Sequence, residues 1–198
     1  MKASSYVTIR KESSGKMVIK KSSFLSFAIP IENLEEFENK IRDFKKQYYD
    51  ARHVCYAFVL SPEGDVSRAS DGGEPCGTAG RPILGVIRSN GLTNVAVVVV
   101  RYFGGIKLGT SGLIAAYKEA AEQALSQAER MECEVEETFH LSFEYSHVND
   151  VMRLLKFYHA KVLSNQMDLI CSLSFSVGVN LSEAITQQLS KIESVKFL

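Results

Sequence analysis

The hydrophobic rhythm of the chain changes several times. Met17-Val18-Ile19 and Phe24 to Ile31 read as extended backbone ending at Pro30. Asn33, followed three residues later by Glu36, is a helix-start signal in which a side-chain oxygen takes up a free backbone N–H. Leu34, Phe37, Ile41, Phe44 and Tyr48 then recur at helical spacing, giving one apolar face. The acidic and Lys-bearing remainder of residues 35–46 is a solvated helix back. His53 to Leu60 is apolar enough for a strand, and Ser61-Pro62-Glu63-Gly64-Asp65 turns the chain into a short second strand. Asn94 to Val100 is a nearly unbroken valine run, the pattern of a strand buried on both faces. A helix follows from about Ser111 to Arg130, its stripe formed by Leu113, Tyr117, Ala120, Ala121, Ala124 and Ala128.

A new rhythm starts near Glu132. Phe139, Leu141, Phe143 and Tyr145 alternate as a strand, and Val148, Val151, Leu155 and Tyr158 fit a helix. Strands follow around Lys161–Asp168 and Leu169–Val179, then a helix carrying Leu181, Ile185, Leu189 and Ile192, then an edge strand at Val195–Leu198. The order β-α-β-β-α-β is that of the ferredoxin-like split motif. Two domains are therefore expected, 1–132 and 133–198, in an α+β fold.

Composition narrows the function classes. Of 198 residues, 45% are hydrophobic, and 23 Lys+Arg balance 23 Asp+Glu. Such a chain is globular, and zero net charge argues against coating nucleic acid by bulk electrostatics. The balance is local, +3 over residues 1–132 and −3 over 133–198, so a polyanion site belongs on the N-terminal part. No apolar stretch is long enough to cross a bilayer, and the polar start Met1-Lys2-Ala3-Ser4-Ser5-Tyr6 is no secretory signal. A cytoplasmic protein without a membrane partner is expected. Cys55, Cys76, Cys133 and Cys171 are widely spaced without a C-x-x-C pair, and read as free thiols.

The chemistry concentrates where the glycines do. Eleven of thirteen glycines lie between Gly64 and Gly112. One segment runs Ser70-Asp71-Gly72-Gly73-Glu74-Pro75-Cys76-Gly77-Thr78-Ala79-Gly80-Arg81-Pro82. The other runs Arg101-Tyr102-Phe103-Gly104-Gly105-Ile106-Lys107-Leu108-Gly109-Thr110-Ser111-Gly112 and joins the buried strand to a helix N-terminus. Clustered glycines there let amides face an anion, with Arg101 and Lys107 adding charge. Neither phosphate-loop nor dinucleotide spacing is met, and tight turns alone also account for glycines. Asp71 and Glu74 either share a divalent ion or acid–base duty, or cap turn amides and pair with Arg81 or Arg101; two carboxylates alone make a weak cation site. His53 and Cys55 point to one face of a strand, as a nucleophile couple or as a buried thiol beside a bonded imidazole. His140, His147 and His159 are isolated. No metal and no cofactor is expected.

The segments His53-Val54-Cys55-Tyr56-Ala57, Asp71-Gly72-Gly73-Glu74-Pro75 with Gly77-Thr78-Ala79-Gly80, and Val99-Val100-Arg101-Tyr102-Phe103-Gly104-Gly105 with Leu108-Gly109 resemble the YigZ/IMPACT family in type and order. The resemblance covers nearly the whole chain. It implies an N-terminal domain with a βαβ-type arrangement, like a small-subunit ribosomal protein domain and the fourth domain of elongation factor G. It also implies a ferredoxin-like C-terminal domain like that factor's fifth. Eukaryotic IMPACT proteins act in translational control through an additional N-terminal domain that this sequence lacks, so their kinase-pathway partner is not expected here. Three positions depart from the pattern: Gly72 replaces a common second Asp, Ser111 a glycine, and Ala115 a common basic residue.

The leading expectation is a non-enzymatic, translation-linked protein that contacts RNA, the ribosome or a protein of the translation machinery. Arg101, Lys107 and the amides around Gly104, Gly105, Gly109 and Thr110 hold phosphate, and Tyr102 or Phe103 stacks on a base. The Asp71, Gly73, Glu74, Pro75, Gly77, Thr78 and Arg81 loop lies alongside. The alternative is an enzyme on a small phosphorylated or peptide-like substrate using His53, Cys55, Asp71 and Glu74. Its requirement is that these four groups converge.

Overall fold

The computed structural model describes residues 4–198. Its strands are β1 (Ser5–Ile9), β2 (Ser13–Ile19), β3 (Ser22–Pro30), β4 (His53–Leu60), β5 (Val66–Ser70), β6 (Val95–Tyr102), β7 (Arg130–Glu134), β8 (Glu136–Glu144), β9 (Lys161–Gln166), β10 (Ile170–Gly178) and β11 (Lys196–Phe197). Its helices are α1 (Leu34–Gln47), α2 (Gly80–Ser89), α3 (Gly109–Ser126), α4 (Val148–Phe157) and α5 (Val179–Leu189). None of these helices is long and apolar enough to cross a membrane. The described residues fall into two compact units, Tyr6–Cys133 and Glu134–Leu198, the second also holding Ser4 and Ser5.

In the first unit β2-β3-β6-β4-β5 form one sheet, every neighbouring pair antiparallel. β3 and β4, joined through α1, flank β6. β5 and β6, joined through α2, flank β4 in the same way. These are two interlocked split β-α-β units. β6 is central because its residues Val95 to Val100 have no exposed surface and can be covered on both sides. Burying each such valine stabilises the fold by roughly 1.5–3 kcal/mol.

The strand period of two sorts residues between two cores. Val95, Val97 and Val99 meet α2 and α3 together with Cys55, Ala57 and Val59. Ala96, Val98 and Val100 meet α1 together with Phe58 and Leu60. Asn33 caps α1, its Oδ1 accepting from Glu36 N at 2.9 Å. The alanine stripe of α3 lets its backbone come close to the sheet: Ser13 Oγ donates to the Ala124 carbonyl at 2.8 Å.

Three elements depart from the sequence expectation. Residues 80–89 form α2, a stretch to which the sequence pattern assigns no helix. Pro82 is tolerated because the first helical turn has no intrahelical acceptor for its missing N–H. α3 ends at Ser126 instead of near Arg130, because Arg130–Glu134 leaves as β7 to pair with β1. β1 itself escapes the sequence reading, since Ser5–Ile9 is a short polar-rich stretch whose pairing partner lies over a hundred residues away.

The second unit has the order β8-α4-β9-β10-α5-β11, with its strands arranged β11-β8-β10-β9 and all pairs antiparallel. One sheet face packs Leu141, Phe143, Leu173, Phe175 and Val177 against Val151, Leu155, Ile185 and Leu189. On the opposite face His140 Nδ1 lies 2.7 Å from Ser174 Oγ.

Candidate functional site

The site grows from the last turn of the valine run. Continuing the alternation of β6, Arg101 falls on the α3 side and Tyr102 on the α1 side. Arg101 is thereby buried, its side chain only 5% exposed. Its Nη1 donates to Glu74 Oε1 at 2.6 Å and its Nη2 to Ser22 Oγ at 3.3 Å. The guanidinium carbon lies 5.5 Å from the ring centroids of both Phe24 and Phe103. A buried cation this enclosed needs a partner charge, and Glu74 supplies it. Arg101 thus holds the wall together through side-chain bonds. Tyr102 lies away from the α3 face, its hydroxyl donating to Asp50 Oδ1 at 2.9 Å, while Phe103 is exposed.

Glu74 Oε1 also accepts from the Tyr117 hydroxyl at 2.9 Å, and His53 Nε2 stands 3.8 Å away. His53 Nδ1 sits 3.1 Å from the Gly72 carbonyl oxygen. A carbonyl can only accept, so Nδ1 carries the proton and Nε2 is the nitrogen turned toward Glu74. Cys55, one strand repeat from His53, has its Sγ 2.9 Å from the Asp71 carbonyl oxygen and 3.3 Å from Tyr117 Oη, two acceptors for its single thiol proton.

The four candidates of the enzyme alternative therefore converge, but they are not equally available. Burial pushes the Cys55 thiol up to about 12, beyond the range of a thiolate nucleophile at neutral pH. The Tyr117 phenol is likewise driven far up by burial and by its neighbours Cys55 and Glu74. Burial alone would raise Asp71, yet three backbone donors outweigh it and hold the carboxyl below its usual value. Its Oδ2 accepts from Gly77 N at 2.8 Å, and its Oδ1 from Ala79 N at 3.0 Å and Gly80 N at 2.8 Å. Asp71 is thus spent on the loop that starts α2. His53 and Glu74 are what remains.

The loop geometry explains the glycines. Gly72 has φ +55°, and a Cβ there would overlap the Val54 carbonyl oxygen; an Asp at this position has no room. A Cβ on Gly104 would overlap the Lys21 carbonyl, and the Gly104 N–H already reaches Ser22 Oγ at 3.2 Å. Its amide is therefore used internally. Thr78 is buried, its hydroxyl donating to the Pro75 carbonyl at 2.7 Å, and Arg81 is exposed on α2.

Arg52, His53, Gly73, Glu74, Pro75, Arg101, Phe103, Lys107, Leu108, Gly109, Thr110 and Leu113 line a cavity of about 520 Å³. α3 begins here, with no side chain capping its first turn and no acidic residue in it. Its free N–H groups and positive dipole end favour an anion. Among the described residues neither Lys107 nor Arg52 has an ion-pair partner. Gly105 lies outside the lining, in a positive-φ turn. Ser111 and Ala115 are exposed on α3. No cluster of three or more His, Cys, Asp or Glu able to hold a metal occurs among the described residues.

Four participants escape the sequence reading. Tyr117 is hidden in an apolar helix stripe, although a Tyr where Phe would serve signals a hydroxyl with a partner. Ser22, Phe24 and Arg52 carry no motif signal; the pairing of β3 with β6 brings in the first two, and Arg52 directly precedes β4.

Comparison with known proteins matches residues 20–125, which carry every lining residue, to the Impact N-terminal domain. A Haemophilus influenzae protein described as an IMPACT family member is 36% identical over 179 residues, 89% of this chain and 86% of the relative. Bacillus subtilis YvyE, described likewise, is 35% identical over 152 residues, 77% of this chain and 70% of its own. A crystal structure described only as a hypothetical protein superposes with a TM-score of 0.80 at 28% identity, covering 99% of this chain and 97% of that one. The buried Arg101–Glu74 wall and the cavity before α3 are thus features of a chain that belongs to the IMPACT family.

Proposed function

We propose that this protein acts in the regulation of translation by holding RNA, free or within the ribosome, at the glycine-rich wall of its N-terminal unit. The observation that carries the reading is the uncapped N-terminus of α3, which opens on one cavity with Lys107, Arg52 and Phe103. Amides and cations hold phosphate oxygens, and the exposed ring stacks on a base. Arg101, Glu74 and Tyr117 act beneath as a rigid floor. Division into domains 1–132 and 133–198 belongs to this reading, as does likeness to the fourth and fifth domains of elongation factor G. The β-α-β-β-α-β order of the second unit, with strands arranged β11-β8-β10-β9, supports the ferredoxin-like assignment.

The test is anisotropy of labelled single-stranded RNA across a salt series, with sedimentation alongside ribosomes at low salt. Lys107→Ala should weaken binding on all sequences alike and reduce the salt slope by about one. Affinity indifferent to salt and to Lys107→Ala and Arg52→Ala overturns the reading.

A second reading, an enzyme on a small phosphorylated or peptide-like substrate, is favoured by one observation. The Gly72 carbonyl fixes His53 so that Nε2 is the nitrogen free to move a proton beside Glu74. Turnover of a phosphoester or dipeptide panel that is lost in His53→Ala would establish it; no turnover would remove it.

A further inference from the structure

We propose that the cavity takes a single terminal phosphomonoester of a nucleotide, in preference to the internal phosphodiesters of a strand; this rests on the RNA-holding reading above. Charge carries the argument first. The ionised lining groups are Arg52, Arg101, Lys107 and Glu74. Arg101 and Glu74 neutralise each other at 2.6 Å, leaving Arg52 and Lys107. Two free cations match a monoester, which carries about −1.5 to −2 at neutral pH, whereas a diester carries a single negative charge. The start of α3 adds about half a positive charge at the same place.

The second observation is an orphaned donor. Arg101 forms part of the cavity wall, and its buried Nε has no hydrogen-bond partner. A buried guanidinium donor without an acceptor is rare, and a phosphoryl oxygen entering beside it is an acceptor of the right charge.

Size and shape agree. About 520 Å³ lies within the range of pockets that enclose one small ligand. A cavity of that size suits one nucleotide with its base against Phe103. Thr110 offers a hydroxyl at the same wall, next to the first amides of α3.

The experiment titrates the full chain with four probes: a nucleoside 5′-monophosphate, a short single-stranded RNA with a 5′-phosphate, the same RNA with a 3′-phosphate, and the same RNA with hydroxyls at both ends. At least one phosphorylated RNA should bind tenfold or more tightly than the hydroxyl-ended RNA. Lys107→Ala should erase that difference while leaving the thermal midpoint unchanged. Equal binding of all three RNAs overturns this inference and leaves the RNA-holding reading standing. A monophosphate that binds as tightly as the phosphorylated RNAs upholds the monoester and overturns RNA as its source. No binding by any probe overturns both.

Discussion

Arg101 Nη1 donates to Glu74 Oε1 at 2.6 Å, joining the end of the central strand to the loop before α2 across 27 residues, with both side chains at most 5% exposed. Both residues belong to the motif segments, and both side chains are almost wholly enclosed. Their charge is consumed in fixing the wall that Phe103, Lys107 and Arg52 present.

Removing one partner should therefore cost far more than removing both. Glu74→Ala leaves an uncompensated buried guanidinium and should lower stability by about 3–5 kcal/mol. Glu74→Ala combined with Arg101→Met should recover much of that loss. Denaturant unfolding of the two singles and the double checks it; additive losses would show that the pair is not coupled.

Cys55 should be inert and should make the fold sensitive to alkali. Its thiol moves from an ordinary value of 9.0 up to about 12 on burial. A raised acid leaves stability intact below the unfolded value and removes it as pH rises, here between about 9 and about 12. Each pH unit in that window costs about 1.4 kcal/mol per proton. A thermal-melt series should fall across the window and fall less in Cys55→Ala. In alkylation at pH 8, exposed Cys76 should react first and Cys55 only on unfolding.

Asp71 works in the opposite direction. Its carboxyl is held below the usual 3.8 once burial is outweighed by three amide donors. A depressed acid contributes stability that is present above the unfolded value and is lost as pH falls below about 4. Asp71→Ala should cost at least about 2 kcal/mol through the lost charged hydrogen bonds. Hydrogen exchange at Gly77, Ala79 and Gly80 should accelerate more than elsewhere in the first unit.

Gly72 and Gly104 should refuse side chains for different reasons. Gly72→Asp, which restores the residue common in the resemblance pattern, meets both positive φ and the Val54 carbonyl. Gly104→Ala meets the Lys21 backbone at ordinary φ. Each should lower stability by at least about 2 kcal/mol. Gly105, with φ +86° and open space around its Cβ direction, should tolerate Asn with a much smaller loss. Melting temperatures of the three variants test the ranking.

Local rules determined much of this protein. Period-two alternation and an unbroken valine run marked the strands, and 3.6-residue periodicity marked α1, α3, α4 and α5. Asn33 announced a helix start that its side chain indeed caps. The three motif segments carried the family. These features are legible because each depends on residues within one turn or strand of each other.

Tertiary structure decided what non-local pairing controls. β1 and β7 become strands only because they find one another. α2 overrides Gly80 and Pro82 because Asp71 holds the amides at its start and Ile83, Val86 and Ile87 reach the core. Spacing alone places Arg101 beside the glycines before α3. Strand parity turned it inward, toward a carboxylate, a serine and the Phe24 ring, which lie 27 to 79 residues away. The same parity sent Tyr102 to the opposite face and brought Tyr117 in to join Cys55 to Glu74. Sequence spacing fixes which face a side chain takes within its own element, but only the packing of the sheet against α3 decides what waits on that face.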